Sequence, residues 1–316
     1  MKLRRSRLYV PGNNPKMIPP AGLYGADVIS LDLEDAVGPQ YKIDARMLVS
    51  EALKVVDFGP TVEVTVRINP MSTEWGRWDI KQIVCDKLAG IYIPKVETPE
   101  DVIQVDELVT DLEEKKGLPI GNIKLFATME TAKGILNAYD IARCSKRLEG
   151  ITIGGEDLTA DLGGERSSDG IAIHTARQLV VLAAKAAGIQ AIDTVYSDFQ
   201  DMEGLKKETE MVRKMGYDGK ACIHPSQIEV IHEAFNPNQD EIVHSVKVMN
   251  ALEEAKKKGS GVIALGSKMI DRPIVLRAQK VLARAHSAEL PVPTIEEITE
   301  KEAISKQGSK KGGGEE

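Results

Sequence analysis

Cysteine is scarce in this 316-residue chain, and long apolar runs are missing altogether. Its three cysteines, Cys85, Cys144 and Cys222, are odd in number and widely separated. They form neither a zinc-ligand spacing nor a disulfide framework, so a reducing, cytoplasmic compartment is expected. Cys85 and Cys222 lie in apolar stretches and are expected to be buried thiols. Met1–Arg7 is basic, but only Leu8, Tyr9 and Val10 follow before Pro11-Gly12, too few for a signal-peptide core. No segment approaches the length of a membrane span. Positive charge is in deficit: the formal net charge of −7 argues against nucleic acid as the main partner. It still allows a local basic patch for a phosphorylated cofactor.

Apolar, β-branched runs recur instead, each closed by a turn residue or a polar one. They are Arg7–Val10, Val28–Leu33, Val62–Ile68, Gly90–Pro94, Ile123–Met129, Gly150–Gly155, Ile189–Val195 and Gly219–Ile223. Between several of them the apolar spacing is helical, as in Arg46–Val56, Glu100–Lys115, Arg177–Ala187 and Leu205–Met215. Strand then helix, about eight times over, predicts a (β/α)8 TIM barrel across residues 1–235. A doubly wound open sheet is the competitor, but the repeat count and the lack of a Gly-rich dinucleotide fingerprint favour the barrel. Further helical stretches follow at Ser226–Ala234, Asp240–Lys258 and Arg272–His286. Residues 236–297 therefore read as a helical extension, one that folds over the barrel mouth or reaches a neighbouring subunit. Residues 298–316 are polar, end in K-K-G-G-G-E-E and read as a disordered tail.

In such barrels the site lies at the C-terminal ends of the strands, which singles out the polar residues there. Glu130 follows the fifth run, and Glu156 and Asp157 follow the sixth. A carboxylate at the mouth of a buried strand is poorly solvated and needs a cation, so two on consecutive strands make a hard-oxygen site suited to Mg2+. The plainer alternative is that each caps the helix after it. Asp32, Glu34 and Asp35 crowd the end of the second run, where they must meet cations, waters or donors. Asp32 reads as a structural acid; Glu34 and Asp35 suit a metal's outer shell or proton transfer. Arg67 stands inside an apolar strand, where it needs an anion: a substrate carboxylate, a salt bridge to Glu34 or Asp35, or both. Lys95 reads as a charge partner of these acids; as a Schiff-base nucleophile it would be held protonated by them. Gly12, after Pro11, permits close backbone approach to a ligand or simply serves a tight turn. His224 suits acid–base chemistry or a structural bond near a helix start.

Taken in order, L-Y-V-P-G-N, D-L-E-D-A-V, V-R-I-N-P, P-K-V-E, M-E-T-A-K-G, G-G-E-D-L, A-I-D-T-V-Y-S-D-F, G-K-A-C-I-H-P-S-Q-I and S-K-M-I-D-R-P resemble the citrate lyase beta-subunit family. That family lies within the wider HpcH/HpaI aldolase and malyl-thioester lyase group, and the likeness runs from about Leu3 to His286. It implies Mg2+ ligation by Glu130 and Asp157 and carboxylate binding by Arg67. It implies contacts from Tyr9 and Lys16 to the CoA portion of a thioester; Pro11, Gly12, Ile223 and His224, at their strand ends, are further candidate substrate-binding positions. It also implies that Asp271, on a segment packed over a neighbouring subunit's site, is the catalytic acid. The base is then Asp35 or a metal-bound hydroxide. The sequence departs from the family at Ser267, where Gly is usual, and at Pro19-Pro20.

The implied reaction is retro-Claisen cleavage of a citryl thioester, carried on CoA or on an acyl-carrier prosthetic group, to oxaloacetate and an acetyl thioester. The implied assembly is a homo-oligomer, trimeric or hexameric, with transferase and acyl-carrier subunits as further partners. A stand-alone malyl-CoA or citramalyl-CoA lyase releasing glyoxylate or pyruvate is the alternative, and a catalytically idle scaffold is a third reading.

Overall fold

Eight short parallel strands close on themselves in sequence order, each paired with the next and the eighth with the first. The computed structural model describes residues 2–165, 167, 170–257, 263–265 and 268–301. The strands are β1 (Ser6–Pro11), β2 (Val28–Asp32), β3 (Glu63–Arg67), β4 (Gly90–Ile93), β5 (Lys124–Met129), β6 (Leu148–Ile153), β7 (Gln190–Asp193) and β8 (Gly219–Cys222). Around them lie α1 (Lys42–Val55), α2 (Gly76–Ile83), α3 (Pro99–Lys115), α4 (Ala132–Leu136), α5 (Ala138–Ala142), α6 (Gly155–Asp161), α7 (His174–Ala187), α8 (Met202–Met215) and α9 (Gln227–Phe235). This is the expected (β/α)8 barrel, with all eight strands within a residue or two of the apolar runs. The short α2, α4, α5 and α6 went unforeseen, because one or two turns give too few repeats for a helical period to register.

Alternation along each strand sorts its side chains. Leu8 and Val10, Ile29 and Leu31, Val64 and Val66, and Ile91 and Ile93 join one apolar cluster with the surrounding helices. The alternate positions Arg7, Tyr9, Ser30, Asp32, Thr65, Arg67 and Tyr92 are polar or aromatic and stand outside that cluster. A barrel of this kind ordinarily fills its interior with branched aliphatics. Here the lumen carries charge, and that charge is available at the mouth.

A buried four-residue ion cluster ties β7, β8, α7 and α8 together. Arg177 Nε lies 2.8 Å from Asp193 Oδ1, and Lys220 Nζ lies 2.7 Å from Asp193 Oδ2 and 2.6 Å from Glu208 Oε1. Burial works against ionisation of Asp193, but Lys220 and then Arg177 hold its carboxyl below the ordinary value. Cys222 is buried as expected, but Cys85 is only half-buried.

The chain divides into two units, Arg4–Phe235 and a second that runs onward from Asn236 and takes in the residues before Arg4. The second holds α10 (Gln239–Lys257), the antiparallel pair β9 (Ile263–Leu265) and β10 (Lys268–Ile270), and α11 (Arg272–Ser287). Val248, Ile270, Val275 and Ala278 form its own apolar cluster. Residues 295–301 are helical with Ile298 buried, so order extends past the point where a disordered tail was expected to begin. Ser267 and the rest of that expected tail, residues 302–316, lie outside the described residues. Among the described residues no helix is long and apolar enough to cross a membrane.

Two predictions follow from these packed ions. Asp193→Asn leaves two buried cations sharing Glu208 and should cost roughly 3–5 kcal/mol in denaturant titrations. His232 on α9 is bonded to Ser6 Oγ at 2.7 Å, and burial, with Arg5, drives its pKa down from 6.5 to about 4 despite Asp27. The unfolded chain therefore binds a proton that the folded chain refuses, and stability is lost as the pH falls from about 6.5 towards 4. His232→Gln should flatten that acid limb of the unfolding free energy, read from denaturant titrations across pH, by up to about 3 kcal/mol relative to the parent.

Candidate active site

Two strand ends approach each other through Glu130. Its Oε1 accepts the Lys95 N–H at 2.6 Å, which requires Lys95 to turn into the left-handed region with φ of 52°. A lysine held there after β4 is strained, and strain of this kind persists only where surrounding bonds over-determine it. Glu130 does not cap the helix after it. Thr131 does so, with its side chain accepting the Gly134 N–H. Opposite Glu130, a Cβ on Gly154 would stand 2.5 Å from Glu130 Oε2, so that oxygen has room only because residue 154 is glycine.

Asp157 enters on the first turn of α6, where the positive end of the helix favours a carboxylate. Lys95 Nζ lies 3.6 Å from Asp157 Oδ1. Partial burial works against the charge on Lys95, but Asp157 and Glu130 raise its pKa above the ordinary value. It is thus a cationic partner of the acids and not an amine nucleophile. Burial, followed by the negative charge of Asp157, pushes Glu130 up to about 7.

Arg67 is held by acids on β2 and just after it. Its Nε and Nη2 donate to the two carboxylate oxygens of Asp32 at 2.7 and 2.6 Å, a fork-to-fork pair. Its Nη1 lies 2.8 Å from Glu34 Oε2 and 3.1 Å from Asp35 Oδ2. Asp32 also accepts the N–H groups of Glu34 and Ala36, which makes it the structural acid that was expected. Lys42 donates to the carbonyls of Leu33 and Glu34 and pins the same turn. Burial, with help from Glu130 and Asp35 and against Arg67, pushes the Glu34 carboxyl up to about 8.

Several of these groups line one cavity of about 440 Å3 at the C-terminal ends of the strands. Arg67, Glu130 and Asp157 all line it, together with Tyr9, Pro11, Asp35 and Ile223. Three expected residues of the barrel unit are not in its wall. Gly12 donates its N–H to Asp32 O at 2.8 Å, and a Cβ there would strike the same carbonyl. Its glycine therefore serves the packing of β1 on β2. Lys16 is exposed. His224 is exposed too, with Nδ1 2.7 Å from Ser226 Oγ just before α9 and its ring stacked on Phe199. Asp271 belongs to the other unit, where its side chain accepts the Ile274 N–H and caps α11.

Arg7, Thr128 and Thr194 line the cavity without having been singled out beforehand. For Arg7 the signal was present: it is a charged residue within an apolar strand, the same feature that marked Arg67.

The profile of the HpcH/HpaI aldolase/citrate lyase family matches residues 5–225. The chain belongs to that family. It is 44% identical over 289 residues to the citrate lyase subunit beta of Leuconostoc mesenteroides subsp. cremoris, covering 92% of this chain and 95% of the relative. It is 40% identical over 283 residues to a (3S)-malyl-CoA thioesterase of Cereibacter sphaeroides, covering 90% and 95%. Among solved structures, the crystal structure of protein CitE from Mycobacterium tuberculosis in complex with magnesium, acetoacetate and coenzyme A superposes with a TM-score of 0.72 at 31% identity. That likeness covers 90% of this chain and 98% of the other.

The donor set fits Mg2+. Among the described residues no three acidic, His or Cys side chains converge as an enclosed metal cage. Mg2+ does not call for one, since it is commonly held by one or two carboxylates and keeps its other positions for water or substrate oxygens. Gly154→Ala should displace Glu130 while leaving the fold intact. Isothermal titration should show Mg2+ affinity falling at least about tenfold, on the scale of a disturbed ligand environment, with an unchanged melting curve.

Proposed function

We propose that the chain is a Mg2+-dependent carbon–carbon lyase that cleaves a citryl thioester to oxaloacetate and an acetyl thioester. The observation that carries this reading is Glu130 and Asp157 sharing one cavity with Arg67. Glu130 and Asp157 would hold the cation, and when bound it would neutralise their charge and polarise substrate oxygens. Arg67 keeps the acids of the β2 turn in place. Its Nη1 is the part of the fork not spent on Asp32, and in this reading it faces the carboxylate beside the reacting carbon.

Cleavage removes the proton of the tertiary hydroxyl and breaks the bond to the methylene next to the thioester carbonyl. The electron pair passes to the thioester enolate, whose carbon then takes a proton, so no net proton is gained or lost. Asp35, exposed at the cavity edge, is the assigned base. Asp271 is the assigned acid and would be contributed by a neighbouring subunit, which requires a homo-oligomer, trimeric or hexameric. In this reading Tyr9, at the wall, and Lys16, outside it, would contact the thioester arm. Other subunits, a transferase and an acyl carrier in this reading, would supply the substrate; the Leuconostoc relative is named as one subunit of its enzyme. A cytoplasmic location accords with three free cysteines.

The alternative is a stand-alone malyl-CoA or citramalyl-CoA lyase releasing glyoxylate or pyruvate, and the 40% identity to a (3S)-malyl-CoA thioesterase supports malyl-CoA as a substrate. Supplying the protein and Mg2+ with citryl-, citramalyl- and malyl-CoA separates the two. Released oxaloacetate is the expected result, and glyoxylate or pyruvate alone would replace the main reading with the alternative. Asp157→Ala should abolish Mg2+-dependent release, a loss of at least about 100-fold if the cation carries the electrostatic term, with the melting curve preserved. Unchanged turnover in that variant would remove the metal from the scheme.

A further inference from the structure

Arg7 is the anomaly of the lumen. It is 2% exposed, yet its Nε and Nη1 have no hydrogen-bond partner. Its Nη2 donates to the Tyr9 hydroxyl. Its guanidinium carbon lies 4.1 Å from the centre of the Tyr92 ring and 4.6 Å from that of Tyr9. Among the described residues no carboxylate pairs with it, whereas Arg67 has three. Aromatic faces stabilise a buried cation only partly, and two unmet charged N–H groups in a low dielectric are costly. Arg7 also lines the cavity, as does Thr128, whose buried Oγ1 likewise lacks a partner. The cavity thus holds two guanidiniums, Arg67 sharing its donors with acids and Arg7 with donors unmet.

Resting on the citryl-thioester reading, we propose that Arg7 receives the second carboxylate of the oxaloacetate half and thereby selects a dicarboxylic over a monocarboxylic oxo acid. The two guanidiniums share the Tyr9 ring, Arg7 at 4.6 Å and Arg67 at 4.7 Å from its centre, so they cannot be further apart than those two distances together. Oxaloacetate separates its carboxylates by two carbon atoms, which lets one molecule engage both. Pyruvate and glyoxylate have a single carboxylate and leave Arg7 as it stands. Specificity then comes from a buried donor set that only the diacid completes, the arrangement that discriminates most strongly between substrates.

The test is equilibrium binding of oxaloacetate and of pyruvate, each with Mg2+, by calorimetry on the parent, Arg7→Met and Arg7→Lys, alongside steady-state cleavage of citryl-CoA. Arg7→Met should weaken oxaloacetate by roughly 10–100-fold, the scale of a lost charge-assisted pair. Pyruvate affinity should stay within about threefold, its carboxylate pairing being untouched. In cleavage the loss should appear mainly in KM, and Arg7→Lys should recover part of it. Equal losses for both acids, or no loss for either, would overturn the assignment. So would a parent protein that binds pyruvate as tightly as oxaloacetate. If Arg7→Met lacks a native melting transition, Arg7→Gln takes its place with the same expected selectivity. A parent that releases oxaloacetate while the variant keeps its preference defeats Arg7 alone, whereas a parent that cleaves no citryl thioester defeats the reading beneath it.

Discussion

A buried carboxylate beside a second carboxylate is drawn towards its protonated form, and positive charge brought to it favours its ionised form. Glu130 is that group, and much of the mouth of the barrel is arranged around it. Lys95 gives it a backbone N–H at the expense of a left-handed conformation. Gly154 makes room for its second oxygen. Asp157 adds the negative charge that raises its pKa, and Lys95 only partly offsets that charge from 3.6 Å. A hard divalent cation would relieve both acids at once, which is why the site reads as a metal site and not as a surface cluster of acids.

The two arginines of the lumen have opposite fates. Arg67 is bracketed by Asp32, Glu34 and Asp35, so its main work is to hold the acids of the β2 turn in register with the cavity. Arg7 sits between two aromatic rings with donors to spare. Arg67 shares its donors among acids of the wall, whereas Arg7 keeps two buried donors without a partner. The pairing also explains why aromatics and small polar residues occupy a lumen that would otherwise hold branched aliphatics: Tyr9 and Tyr92 are the faces on which the cations rest.

Strand positions were legible in the sequence because a strand buried on its outer face carries apolar, often β-branched, residues at alternate positions, and each run ended at a turn residue or a polar one. Glu130, Asp157 and Arg67 were legible because a charge at or inside such a run has no inexpensive explanation. Arg7 carried the same mark but stood near a basic terminus, where charge looks ordinary. Gly12 and His224 show the converse. A Pro-Gly turn and a histidine after a strand have the right chemistry, but nothing local says that the glycine meets the β2 backbone or that the imidazole points at Ser226 and Phe199.

The order of elements, the identity of the charged residues and the end of the barrel at which they gather were all determined by the one-dimensional pattern, since periodicity and burial cost are properties of neighbouring residues. Which acid an arginine faces was decided only by closure of the sheet. Residues 32 and 67 become partners because β2 and β3 pair in register, and residues 95 and 130 meet because the chain after β4 bends over the end of β5. Electrostatic partnership depends on distances of a few ångströms between positions 35 residues apart, and no local propensity encodes a distance of that kind.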